Sequence, residues 1–136
     1  MPPIVTVLDS WAIVAFLEDE PAAGKVEEII ISSLDSDKQL LISVINMGEV
    51  WYSIARAHSS READNAVGKV LSAGLEMVAA DWELTLQAAR IKARYKLAYA
   101  DCFAAALALD RGAELVTGDP EFKQLKNELS IVWLSG

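Results

Sequence analysis

Four acidic residues stand where a chain ordinarily avoids charge. Asp9 follows a β-branched run in VTVLDSWAIV, residues 5–14, and Asp101 interrupts LAYADCFAAALAL, residues 97–109, where every other residue is apolar. Asp119 lies in ELVTGDPEF, residues 114–122, and Glu49 in VINMGEVWY, residues 44–52. An unpaired buried carboxylate is costly, so proteins pair it, hydrogen-bond it or give it a cation. Two or three carboxylates converging on one crevice make an all-oxygen site suited to a hard cation such as Mg²⁺ or Mn²⁺. Such a site can activate water and stabilise charge developing on a phosphoryl oxygen. Each acid also has a plainer local reading. Asp9 and Asp101 could each cap a helix, and Asp119 before Pro120 fits ordinary turn chemistry. Glu49 projects with Asn46, Ser53 and Arg56, opposite Val44, Val50, Trp51, Ile54 and Ala55, as on a solvated helix face.

For the acids to meet, secondary structure must carry them to one place. Ile4–Leu8 reads as a buried strand, short, β-branched and bounded by Asp-Ser. A short helix over Ser10–Leu17 follows, then a helix entered at Pro21 and running to about Leu34. Gln39–Ile42 is a second strand, and Ser43 caps a helix over Val44–Ala57. Further helices are expected over Ser60–Leu71, Asp81–Lys96 and Tyr99–Arg111, the last stopped by Gly112, and a short one over Pro120–Lys126. The remaining strands are Glu76–Ala79, Glu114–Thr117 and Ser130–Leu134. Short apolar strands alternating with amphipathic helices predict an α/β fold, a parallel sheet covered on both faces. In such folds the ligand crevice lies beyond the carboxyl ends of the strands, which is where Asp9 and Asp119 would stand together.

Composition narrows the classes. At 136 residues with 53% hydrophobic content, the chain reads as a single domain over residues 1–136 with a substantial core. One cysteine, Cys102, excludes an internal disulfide and a cysteine zinc cluster, and one histidine, His58, excludes a histidine-pair ribonuclease mechanism. The opening MPPIVTVLD lacks the basic region of a signal peptide. The uncharged stretch Gln39–Gly48 is far shorter than the roughly 18 residues of a membrane helix. The expected location is therefore the cytoplasm. A net charge of −8 argues against a broad nucleic-acid-binding surface, although acids gathered around divalent cations count differently.

Taken together, strand-Asp-Ser near the N-terminus, a glutamate near residue 50, an apolar helix opening with Ala-Asp, and Leu-Val-Thr-Gly-Asp followed by Phe resemble a PIN domain. The length and helix-rich middle are most similar to the VapC toxins of toxin–antitoxin pairs. That resemblance implies a three-layer α/β/α sandwich around a mainly parallel sheet of four or five strands. It also implies a Mg²⁺- or Mn²⁺-dependent endoribonuclease that cleaves tRNA, rRNA or mRNA to inhibit translation and growth. Asp9, Glu49, Asp101 and Asp119 match the family's metal-binding, catalytic acids, with Ser10 and Thr117 as supporting hydroxyls. A VapB-type antitoxin whose tail fills the crevice and a homodimer are the implied partners, with DNA contacted only through the antitoxin. An acid-lined groove would suit a basic tail.

RNA must also be gripped. ARIKARYKLAYAD, residues 89–101, offers Arg90, Arg94 and Lys96 for phosphates and Tyr95 and Tyr99 for unpaired bases, although Arg90/Arg94 and Lys92/Lys96 fall on nearly opposite helix faces. Trp11, Trp51 and Tyr52 read as core or dimer contacts, and Cys102 as a small core residue. Rival readings are a PIN-domain ribonuclease of RNA processing or decay without an antitoxin, and a binding module that does not cut. A phosphoacceptor receiver is disfavoured, since the final Trp-Leu-Ser-Gly offers no lysine and Asp9 has no acidic neighbour.

Overall fold

The computed structural model describes residues 4–134. The outer limits of the expected domain, residues 1–3 and 135–136, lie outside the described residues. Five strands form one sheet in the order β3-β2-β1-β4-β5, namely β1 (Ile4–Leu8), β2 (Lys38–Ser43), β3 (Leu75–Val78), β4 (Glu114–Thr117) and β5 (Ile131–Trp133). All four pairings are parallel, with Val7 opposite Leu41 and Leu115, and Leu8 opposite Val116. Parallel neighbours need long crossovers. These are α1 (Ser10–Leu17) with α2 (Ala23–Leu34), α3 (Val44–Ala57) with α4 (Ser60–Ser72), and α5 (Trp82–Arg94) with α6 (Tyr99–Arg111). A 3₁₀ helix over Pro120–Leu125 links β4 to β5.

Strand alternation divides the core between the two faces of the sheet. Val7, Leu41 and Leu115 pack with α5, α6 and Phe122 of the 3₁₀ helix. Leu8, Leu40, Ile42 and Val116 pack with α1, α2, α3 and α4. The expected α/β sandwich is thus observed, and its sheet is wholly parallel with five strands. Among the described residues no helix is long and apolar enough to cross a membrane.

Several boundaries shift for local reasons. The second helix starts at Ala23, because Pro21 and Ala22 belong to a turn closed by the Ala23 amide on the Glu20 carbonyl at 2.8 Å. The third strand is Leu75–Val78, where Leu75 pairs with Leu40. The fifth helix ends at Arg94, since Tyr95 is extended and the Gln124 amide holds both the Lys96 N–H and its carbonyl, at 3.2 and 3.1 Å. The final short helix is 3₁₀ in form.

Helix α6 is buried without interruption from Asp101 to Ala108. Four of those positions are alanine, at 104, 105, 106 and 108, each 0% exposed. Small side chains let the helix backbone lie close to the sheet, and a close-packed interior leaves little tolerance for larger ones. Ala105→Leu is therefore expected to lower stability by about 1–3 kcal/mol through overpacking. Urea unfolding would show a lower midpoint with an unchanged slope, and a loss below about 0.5 kcal/mol would mean that the layer has room to spare.

Candidate active site

The carboxyl ends of β1 and β4 lie side by side, at the point where the strand order reverses, β2 and β3 lying on one side of β1 and β4 and β5 on the other. Asp9 follows β1 directly and caps α1. Its Oδ1 accepts the Ala12 N–H at 2.9 Å and its Oδ2 accepts the Thr117 hydroxyl. The capping role is real, yet it occupies one oxygen of a side chain only 1% exposed. Burial pushes the Asp9 carboxyl up to about 7, against the pull of its Thr117 and Ala12 hydrogen bonds, and the charges of Asp101 and Asp119 push the same way.

Thr117 ends β4, fully buried. While its hydroxyl donates to Asp9, the same oxygen accepts the Asp119 N–H at 3.0 Å. One hydroxyl therefore fixes the two acids that leave adjacent strands. Asp119 in turn caps the 3₁₀ helix, accepting the Glu121 N–H at 3.0 Å. Between them, Gly118 is covered by the Trp11 indole: a Cβ at this position would lie 2.2–2.5 Å from three ring atoms. Trp11 itself is 37% exposed.

Asp101 sits in the first turn of α6, one-tenth exposed. It is not the N-cap; that position belongs to Ala98, which makes no side-chain capping bond. Burial, then the charges of Asp119, Glu49 and Glu121, push its carboxyl up to about 7. Glu49 is half-buried. Its Oε1 accepts the Ser10 hydroxyl at 2.6 Å and the Asn46 amide at 3.3 Å, and the Tyr52 hydroxyl lies 3.4 Å from its Oε2. The solvated-face reading of Glu49 is corrected by this geometry. Helix α3 is buried on two sides, with Met47, Val50 and Ile54 in the core and Asn46 against α6.

The four acids thus influence one another across four separate elements. Among the described residues none of them lies within ion-pair distance of a lysine, arginine or histidine. No group of three or more such side chains, as they stand among the described residues, is gathered closely enough to hold a metal ion. The donor chemistry nevertheless fits a hard divalent cation, being all oxygen, anionic and without a competing protein cation.

The other residues singled out by sequence are placed unevenly. Arg94 and Lys96 line an open groove of about 740 Å³ with Tyr95, Leu97 and Glu121. The Lys92 ammonium beside it is used by the Leu97 carbonyl at 2.7 Å. Arg90 is exposed on α5 and does not line this groove. Trp51 and Tyr52 are 36% and 43% exposed, so with Trp11 they are surface residues and the core reading fails for all three. Cys102 is buried, and His58 ends α3 between Glu18 and Glu62. Sequence reasoning missed Asn46 and Glu121. A signal for Asn46 did exist, an amide three residues beyond the Ser43 cap, where a helix interior disfavours it.

Residues 6–128 match the sequence pattern of the PIN domain family. No functionally curated protein matches the chain. Among solved structures, the DNA-bound VapBC of Salmonella typhimurium is 19% identical, with a TM-score of 0.74 over 97% of this chain and 99% of that one. VapBC2 of Rickettsia felis, bound to a promoter DNA fragment, is 18% identical at TM-score 0.73, covering 95% and 98%. VapC20 of Mycobacterium tuberculosis, a toxin that cleaves the sarcin-ricin loop, is 17% identical at TM-score 0.71, covering 88% and 93%. Identities this low carry the fold alone; the family rests on the match over residues 6–128, which takes in all four acids, and by that match the chain belongs to the PIN domain family.

Proposed function

We propose that this chain, one PIN domain over residues 1–136, is a Mg²⁺- or Mn²⁺-dependent endoribonuclease and the toxin of a toxin–antitoxin pair. What supports the reading most is that Asp9 and Asp101, carried by different elements, are both pushed up to about 7 by burial and by neighbouring carboxylates, Asp119 and Glu49 among them. An arrangement that costs the apo fold stability has its simplest use in binding a cation.

In this reading the four carboxylates hold the ion. When bound, a divalent cation supplies charge neutralisation at the scissile phosphate and lowers the pKa of the attacking water. The protein's own residues act by orientation. Thr117 ties Asp9 to the Asp119 backbone, and Ser10 fixes one oxygen of Glu49, so that the carboxylates turn little when loaded. Arg94 and Lys96, in the groove that Glu121 shares, would grip RNA phosphates flanking the cut.

The toxin reading draws on relatives of known assembly, since VapBC complexes of Salmonella typhimurium and Rickettsia felis share this fold over nearly the whole chain. A VapB-type antitoxin with a basic tail would be drawn to the acid crevice, and it would link this chain to DNA indirectly. Exposed Trp51 and Tyr52 on α3 suit a homodimer contact. The proposed location is the cytoplasm.

Incubating total RNA with the pure protein and mapping new 5′ ends tests the activity directly. Cleavage is expected at few sites with Mn²⁺, none with chelator, and a loss of roughly 10²-fold or more for Asp101→Asn. Cleavage that persists in that variant would remove the four-acid assignment.

Stability supplies a second check. In unfolded chain the Asp101 carboxyl returns to its ordinary 3.8, whereas the folded value is about 7. Between those values the folded state holds a proton that the unfolded state releases, so metal-free stability falls as pH rises from about 4 through about 7. Asp101→Asn removes that charge. Its melting temperature in chelator should match the native protein near pH 4 and exceed it increasingly up to pH 8. A difference independent of pH would contradict the burial of Asp101 among like charges.

A further inference from the structure

Asn46 is the only asparagine with no solvent exposure among the described residues, and every polar atom of its side chain is engaged. Its Oδ1 accepts the Ser43 hydroxyl at 2.6 Å, while the Ser43 oxygen accepts the Asn46 backbone N–H at 3.0 Å. The Ala100 carbonyl, which can only accept, fixes which way the amide faces. Its Nδ2 then donates twice, to the Ala100 carbonyl at 3.1 Å and to Glu49 Oε1 at 3.3 Å. A buried amide is tolerated only when satisfied in this manner.

Those two donations join places far apart in sequence. Ala100 precedes Asp101 in the first turn of α6, a helix that starts without a capping side chain. Glu49 is carried by α3, one turn beyond Asn46. The amide thus spans the α3–α6 seam where two carboxylates that repel each other are brought together. With Ser10 it supplies two donors to Glu49 Oε1, leaving Oε2 to the Tyr52 hydroxyl and the open side. Asp9 is treated similarly, its two oxygens held by Ala12 and Thr117.

We infer that Asn46 is a positioning residue for the cation site, tying Glu49 on α3 to the Asp101-bearing turn of α6. The inference rests on the metal-site reading above and extends it to a residue that touches neither ion nor RNA. Donors behind metal-binding side chains commonly set affinity by 10- to 100-fold. An aspartate at position 46 has almost the same shape and can still accept from Ser43. It would, however, set a carboxylate against both the Ala100 carbonyl and Glu49, turning two attractions into repulsions.

The test is a calorimetric titration of the full chain with Mn²⁺ near pH 7.5, for the native protein, Asn46→Asp, Asn46→Ala and Asp101→Asn. Melting curves and circular dichroism in chelator accompany it. Both Asn46 variants are expected to remain folded at the titration temperature and to bind Mn²⁺ about 10- to 100-fold more weakly. In RNA cleavage the Mn²⁺ concentration for half-maximal rate should rise by a similar factor, while the rate at saturating Mn²⁺ stays within about threefold of native. A folded Asn46→Asp or Asn46→Ala that binds Mn²⁺ as the native protein does would overturn the positioning role, whatever its melting temperature. Should the native protein itself bind no Mn²⁺, or Asp101→Asn bind it unimpaired, the metal-site reading would fail instead.

Discussion

Like charges held close together in a partly dry crevice are the constraint around which the rest of this molecule is arranged. Desolvation and mutual repulsion both favour the protonated acid, and the fold counters them unequally. Asp9 is given an amide and a hydroxyl, Glu49 a hydroxyl and an amide, and Asp119 the hydroxyl-anchored end of β4. For Asp101 no donor offsets burial, and three neighbouring carboxylates add to it. Asp101 is accordingly the raised acid with no hydrogen bond of its own to favour the ionised form. On the proposed reading, the hydrogen-bonded acids define where the crevice is, and the unsupported one makes it receptive to a cation.

Sheet topology makes the crowding unavoidable. In an all-parallel sheet every strand points its carboxyl end to the same edge, so residues following different strands are neighbours however distant in sequence. Asp9 and Asp119 follow adjacent strands, and Thr117 bridges them within the space of a single side chain. Asp101 arrives by another route, at the start of a helix whose run of alanines brings its backbone down onto the sheet. A bulkier helix would lift that first turn away. Core packing on one face and charge placement at the edge are therefore one requirement, met by the same residues.

The sheet and its crossovers were legible because each depends on local pattern. β-branched runs, the Ser43 cap and the Gly112 stop all mark their elements within a few residues. The 3₁₀ helix and the early end of α5 were not legible, since both follow from contacts such as Gln124 on Lys96 that join residues 28 apart. Glu49 shows the limit of helical projection. A single apolar stripe separates core from everything else, but α3 has a second buried side made of polar atoms, and hydrophobicity does not register it. Asn46 was overlooked for the same reason. The aromatic residues show the opposite limit: of the core or dimer roles that residue type suggests for Trp11 and Trp51, the core role fails, since Trp11 lies over Gly118 and Trp51 gives its indole N–H to Asp64 at 2.9 Å at the surface.

Net charge takes on a sharper meaning once the acids are located. Four of the chain's twenty acidic side chains stand around one crevice, so repulsion of a polyanion is concentrated where, on the proposed reading, it must be cut. Broad electrostatic attraction of the kind that draws most nucleic-acid-binding proteins to phosphate is unavailable to this chain. Affinity for RNA then has to come from local cations in the Arg94–Lys96 groove and from neutralisation of the crevice itself. Cation loading and RNA binding become coupled steps, because the empty crevice repels the same phosphate that the loaded one attracts. The converse holds for a basic protein tail, which the unloaded crevice attracts most strongly. On the proposed reading, metal and tail therefore compete for one set of carboxylates, and a basic protein partner would silence the site by taking the place of the cation.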